Sequence, residues 1–436
     1  VGNNALENQN FTTATDTFNV AVGVNAGNAI TTGANNTLIG ALAGDAITTS
    51  SSNTMVGTQA GTSLTSGDGT VFVGTSAGES TSTGAAGTLV GFQAGQFLTT
   101  GSNNVALGAK ALKGASTGAT ASNSVAIGAE AADAITSGTS NVAVGYQALS
   151  TETSGSKSVA IGTQALLNQL QGASAANTAV GDRAGLLTTD GIKNVYLGFD
   201  AALSATTANK NVVIGSQAAD SMTTGAENVF VGESCAGSGT ITGNDNVAVG
   251  RAAGLNLSSG SNNMFLGHDA GITGSPGGNF TTQSNNIVLG DENISLIRTA
   301  VSVTATSDER DKTDFVNLDL GLDFVKALEP VTYYWDKRSK YGNKYAEDYD
   351  LNAQTPDGTH KEDWMDIGFK AQAVRDLEEA AGYKQSDKKN LTVSLTEDGT
   401  QYGLKYERFI PILVKAIQDQ DAIIQSLTAR ITALES

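Results

Sequence analysis

The 436-residue chain carries 25 Lys+Arg against 43 Asp+Glu, a formal charge of −18. That balance argues against nucleic acid or an anionic membrane as partner, since both attract clustered positive charge. A single Cys excludes a disulfide framework and a thiolate metal cluster within one chain, and no metal or other cofactor is expected. No run approaches the roughly 18 apolar residues of a spanning helix, and the start, Val1-Gly2-Asn3-Asn4, lacks the basic region of a signal peptide. No membrane insertion is expected. The composition is divided: 26 of the first 306 residues are charged (8 basic, 18 acidic), against 42 of the last 130 (17 and 25), and both Trp and eight of the ten Tyr lie in that second part.

The first part is a repeat. An apolar residue followed by Gly recurs seventeen times, from Gly2 to Gly290, mostly at steps of 17 residues. Ala stands three positions after this Gly in fifteen of seventeen copies, and Asn four positions before it in twelve of the sixteen copies where that position exists. The spacing predicts, in each copy, a strand of four to five residues such as Asn141–Gly145, ended by Gly. Thr/Ser/Gly segments such as Leu98-Thr99-Thr100-Gly101 supply turns, and the Asn caps a turn or adopts left-handed geometry. One such unit cannot bury a face alone, so the units must stack into a solenoid with a thin core, about one inward apolar residue per strand. Ala at its fixed position fits close backbone approach, and Cys235, in that slot, reads as a small buried hydrophobe.

The longer steps fall at Lys113–Ser122, Leu167–Ala176 and Thr273–Ser284, which are expected to protrude. Phe92, Tyr146 and Phe199 directly follow the repeat Gly and are read as either exposed or packed between chains. His268 takes the same slot with no second His near it in the sequence, so a metal role is not expected there.

The repeats, typified by Asn123-Ser124-Val125-Ala126-Ile127-Gly128, resemble the head repeats of trimeric autotransporter adhesins, and similar repeats occur in phage tail fibres. The resemblance covers residues 1–295. It implies a trimeric, left-handed parallel β-roll or β-solenoid shaft, so the chain as a whole is expected to be mainly β.

Past Asp291 the repeat fades into a linker, 296–306. A charged, aromatic α/β sequence follows over 307–405, with a C-terminal helix over 406–436. Four blocks mark it: Ser307-Asp308-Glu309-Arg310-Asp311-Lys312, Leu328-Glu329-Pro330-Val331-Thr332-Tyr333-Tyr334-Trp335, Ile367-Gly368-Phe369-Lys370-Ala371-Gln372 and Tyr406-Glu407-Arg408-Phe409-Ile410-Pro411. In this order they resemble the endosialidase-type intramolecular chaperone, a self-cleaving serine peptidase family found at the end of phage tail spikes and fibres. The resemblance implies a small α/β chaperone domain that holds three chains together and then cuts itself off before a Ser. The scissile bond would be Thr306–Ser307, with Ser307 as nucleophile, Lys312 as base, and Asp308 and Arg310 at supporting positions. Ser with Lys is an established variant of Ser with His, and a desolvated lysine can serve as base. Lys370 and Ala373 stand where the family more often has an apolar residue and an acid, positions that bear on packing.

Ile410, Leu413, Ile417, Gln420, Ile424, Leu427, Ile431 and Leu434 alternate by three and four, a heptad seam with Ile at every a position. Ile at a with Leu at d by itself favours two strands. Gln420 relaxes that preference, and both resemblances imply three chains, which is the reading adopted.

Together these features read as a structural viral (phage) tail or capsid fibre located on the virion, a homotrimer that binds a host cell-surface glycan or protein. Because the chain opens in mid-repeat, a virion-attachment protein or domain is expected upstream. A polysaccharide depolymerase needs two carboxylates about 5 to 9.5 Å apart, and the repeats carry no recurring pair. A bacterial trimeric surface adhesin would end in a membrane barrel where this chain has a heptad helix. An ice-binding solenoid would need a more regular Thr array.

Overall fold

A computed structural model describes residues 1–10, 16–115, 118–172, 174–346, 348–389 and 391–435. Contacts divide it into two compact units, Val1–Ala270 with Phe280–Leu289, and Gly271–Asn279 with Gly290–Ser436. Among the described residues, no helix is long and apolar enough to cross a membrane.

The first unit is a β-solenoid. Its sixteen strands, from β1 (Val20–Val22) to β16 (Ile287–Leu289), form one parallel sheet in which each strand pairs with the next in chain order. The register is the repeat itself: Val142 faces Val159, Ala143 faces Ala160, and Val144 faces Ile161. Each strand has three residues, shorter than the spacing predicts, with its middle side chain buried and its outer two turned away from the core. The shortening has a cause at each end. The repeat Gly leaves the strand with a positive φ, 134° at Gly145, where a β-carbon would come within 2.6 Å of the Gly162 carbonyl carbon. Only glycine suits that combination.

At the other end, the recurrent Asn is not a turn residue. It is buried, and it forms a ladder from coil to coil. Asn211 Nδ2 donates to Gly225 O (2.8 Å) and Asn194 Oδ1 (3.2 Å), while its Oδ1 accepts from the Asn228 backbone N–H (2.9 Å). The left-handed backbone lies one residue earlier, at Lys210 (φ 57°). A buried amide thus satisfies backbone groups that a thin core would otherwise strand. Thr hydroxyls do similar work at the turns, as Thr189 Oγ1 donates to Thr206 O at 3.2 Å and Thr206 Oγ1 to Thr223 O at 3.2 Å.

The longer steps do not simply protrude. Ser116, Thr117 and Ala173 lie outside the described residues, but Ala119, Ala121, Gln169, Ala175, Ser275 and Phe280 are buried. The extra residues take over core and ladder positions. Ala121 O accepts from Asn104 Nδ2 (2.7 Å). Ser158 stands at an Asn position, and Gln169 from the longer step donates to its hydroxyl (3.0 Å) and accepts from Asn177 Nδ2 (2.9 Å). Cys235 is buried in the Ala slot, and burial pushes its thiol up to about 12. Phe92, Tyr146 and Phe199 are exposed in the single chain.

The second unit carries two antiparallel pairs, β17 (Val331–Tyr333) with β18 (Asp366–Gly368) and β19 (Val393–Leu395) with β20 (Tyr402–Leu404). Among the described residues, three α-helices accompany them: α1 (Leu322–Ala327), α2 (Ala371–Ala380) and α3 (Phe409–Glu435). Leu320, Phe324, Val374, Val393, Phe409 and Ile412 make its core. Polar ties reinforce the core. Glu378, buried on α2, accepts from the Thr392 N–H and hydroxyl, both at 2.6 Å. Asp419 on α3 accepts from Leu322 N (3.1 Å), capping α1, whose Gly321 has no side chain to do so. Lys370 and Ala373 are exposed, so neither enters the core within one chain.

Candidate functional site

Residues 296–306 run exposed and without regular structure to Ser307. There the chain turns. Glu309–Asp311 form one 3₁₀ turn capped by Asp308, whose carboxylate accepts from Arg310 N at 2.9 Å. The Arg310 guanidinium pairs with the same carboxylate through Nη2–Oδ2 (2.6 Å) and Nε–Oδ1 (3.1 Å). These bonds hold Asp308 below the usual carboxylate range and raise Arg310. Lys312 leaves the turn extended, its N–H donating to Glu309 O (3.1 Å).

This turn explains the five-residue spacing. A 3₁₀ turn reverses the chain in three residues, so the Lys312 side chain comes back over the start of the segment. Its Nζ lies 2.5 Å from Ser307 Oγ and 3.2 Å from Ser307 O. Ser307 and Lys312 are brought together, Asp308 and Arg310 brace the turn between them, and Thr306 stands exposed just before it. Both Ser307 and Lys312 are exposed in the single chain.

The α3 helix adds a second feature. Phe409, Ile412 and Ala416 are buried against its own unit. All eight heptad positions, Ile410, Leu413, Ile417, Gln420, Ile424, Leu427, Ile431 and Leu434, remain exposed in the single chain. The seam that the sequence marks is thus left open. The solenoid sheet also presents apolar outer side chains, among them Val105, Leu107, Ile161, Val195, Leu197 and Leu266, all exposed.

The first unit is thus a β-solenoid built on a 17-residue repeat, and the second is a small α/β unit whose long helix leaves its heptad face open. Residues 307–383 match the family model described as chaperone of endosialidase. The matched stretch begins at Ser307 and holds three of the four blocks, while the Tyr406–Pro411 block lies beyond it. No curated protein and no solved structure matches the chain.

Sequence reasoning missed three polar contacts within this unit: Glu378 with Thr392, Asp419 with Leu322, and Glu292 with Lys344. None carries a local signal, because the partners are 14, 97 and 52 residues apart.

Proposed function

We propose that the chain is a trimeric fibre protein of the phage tail-fibre kind, placed on the virion, whose C-terminal part is an intramolecular chaperone that cuts the chain between Thr306 and Ser307. The observation that carries this reading is a coincidence of position. The chaperone match begins at Ser307, and Lys312 Nζ stands 2.5 Å from that hydroxyl.

In this reading a neutral Lys312 amine takes the proton of Ser307 Oγ as the oxygen attacks the Thr306 carbonyl carbon. The Thr306–Ser307 C–N bond breaks, the departing nitrogen receives that proton, and an ester links Thr306 to Ser307 Oγ. Water hydrolyses the ester, leaving a carboxylate on Thr306 and a free amine and hydroxyl on Ser307.

Three chains account for the apolar surface left open by one. The outer side chains of the solenoid sheet and the heptad seam of α3 each need covering, and a thin core gains stability from oligomerisation. A chaperone answers a register problem. Neighbouring 17-residue coils are so alike that slipped pairings between chains cost little, and joining the C-termini first raises the local concentration of the shafts. The exposed surface of the shaft, with Phe92, Tyr146 and Phe199, is then available to bind a host-surface glycan or protein.

Denaturing mass spectrometry of the expressed chain tests the cut. Two fragments meeting at Thr306–Ser307, and one uncut chain from Ser307→Ala, are expected. A wild-type mass that stays at 44.3 kDa would refute self-cleavage.

A further inference from the structure

The cut site does not coincide with an edge of the compact unit that contains it. Residues Gly271–Asn279 and 290–306 lie before Thr306–Ser307, yet they cluster with residues 307–436. The contacts between these two sets are polar and specific. Glu292, 8% exposed, pairs with Lys344 at 2.8 Å, and both side chains are largely withdrawn from solvent. Lys337 Nζ donates to the Glu292 backbone carbonyl at 2.5 Å. The Asp398 carboxylate accepts from the Asn279 backbone N–H at 2.9 Å. Two glycines allow the approach. A β-carbon on Gly274 would lie 2.5 Å from Ser339 Cβ, and one on Gly278 would lie 2.5 Å from Asp398 Oδ2.

We infer that cleavage and release are separate steps, because a docking surface built from Lys337, Ser339, Lys344 and Asp398 keeps hold of residues 271–295 after the bond is cut. The inference takes its cut from the reading above, but the docking stands on its own contacts. The heptad seam lies wholly within 307–436, so it can join C-terminal pieces to one another but cannot hold them to residues 1–306. What holds the two pieces is this surface, with the Lys344–Glu292 pair as its strongest element. Removing one partner of a buried ion pair leaves the other charge uncompensated, which costs far more than a surface pair is worth. Glu292 is already under-satisfied, since its Oε2 is buried without a hydrogen-bond partner among the described residues. That makes the pair the natural point at which release is controlled.

The test uses the full chain in two forms, the wild type and a variant in which the exposed segment Thr299–Ala305 is replaced by a recognition sequence for a specific protease. After cutting, size-exclusion chromatography and native mass spectrometry read whether the two pieces travel together. Co-migration of the wild-type pieces is expected. Lys344→Ala and Glu292→Gln should each weaken their association by about a hundredfold or more, and the reversed pair Lys344→Glu with Glu292→Lys should restore much of it. Circular dichroism of each uncut variant separates weaker docking from failure to fold, and the reversed pair tests the contact even if a single variant misfolds. Pieces that separate at once in the wild type, or single variants that hold as tightly as the wild type, would overturn the inference. A wild-type chain that never cuts itself counts against the proposed peptidase alone, because the protease-cut form still tests the docking.

Discussion

A β-carbon placed on Gly78 would stand 2.7 Å from Cε2 of Phe72. The two positions share the core of one coil, and in several coils their sizes trade off. Leu38, Met55, Phe72 and Leu89 at the strand centre go with Gly44, Gly61, Gly78 and Gly95, whereas Ala106, Ala143 and Ala160 go with Leu112, Leu149 and Leu166. A thin core of close-packed side chains must keep its volume, and these coils do so with either arrangement, whereas Ala179 with Gly185 and Ala248 with Gly254 keep both positions small beside Tyr196 and Phe265 of the next coil.

This relationship predicts a coupled pair. Phe72→Ala leaves a cavity and costs about 3–5 kcal/mol, and Gly78→Leu alone overpacks the coil by about 1–3 kcal/mol or more. The double variant reproduces the arrangement of Ala143 with Leu149, so it should recover much of the loss. Hydrogen exchange at Val71–Val73 reads this locally, and additive losses would contradict the trade-off.

The Asn ladder predicts a polar cost at a buried position. Asn211→Leu keeps a similar volume but leaves Gly225 O and the Asn228 N–H without their partner. Each stranded group costs about 1–3 kcal/mol, so exchange should rise in the coils on both sides of residue 211. A substitution confined in effect to its own coil would contradict the ladder.

Cys235 should behave as a packed alkyl group. Its thiol is raised to about 12 by burial, so thiolate, the reactive form, is scarce in the folded protein at any pH below that value. A thiol reagent at mildly alkaline pH should label the unfolded chain and leave the native chain unlabelled. Cys235→Ala restores the residue used in that slot by fifteen other copies, and should change stability by less than about 1.5 kcal/mol. Rapid native labelling would contradict this placement.

The two faces of α3 predict opposite outcomes. Ile417 and Ile424 are 66% and 54% exposed in the single chain, while Ile412 is 2% exposed. Ile417→Asp with Ile424→Asp should leave the C-terminal unit folded and abolish association. Ile412→Ala should instead destabilise the unit by about 2–5 kcal/mol. Sedimentation velocity and circular dichroism, measured together, separate the two. Unchanged association in the double Asp variant would remove the heptad seam from the assembly.

The solenoid was readable because its period is long, regular and marked by residues with few alternatives. Gly145 needs its positive φ, and Ala148 occupies a slot closed on all sides. The ladder was not readable, because Asn141 meets its partners Ser158 and Gly155 only once the coils are stacked. The same reason hid the size exchange between Phe72 and Gly78. The Ser307–Lys312 contact is local, made by one short turn, and the resemblance named both residues. The contacts of Glu292 with Lys344 and of Asp398 with Asn279 were invisible, since nothing in a sequence says that residues 271–295 pack with residues so far along the chain.

The central claim is that the C-terminal part assembles three shafts and then cuts itself from them. Native mass spectrometry of the expressed wild-type chain measures assembly and cutting at once. The account predicts a complex of three shafts, each ending at Thr306, whether or not C-terminal pieces beginning at Ser307 remain attached. A single uncut species of 44.3 kDa would contradict it.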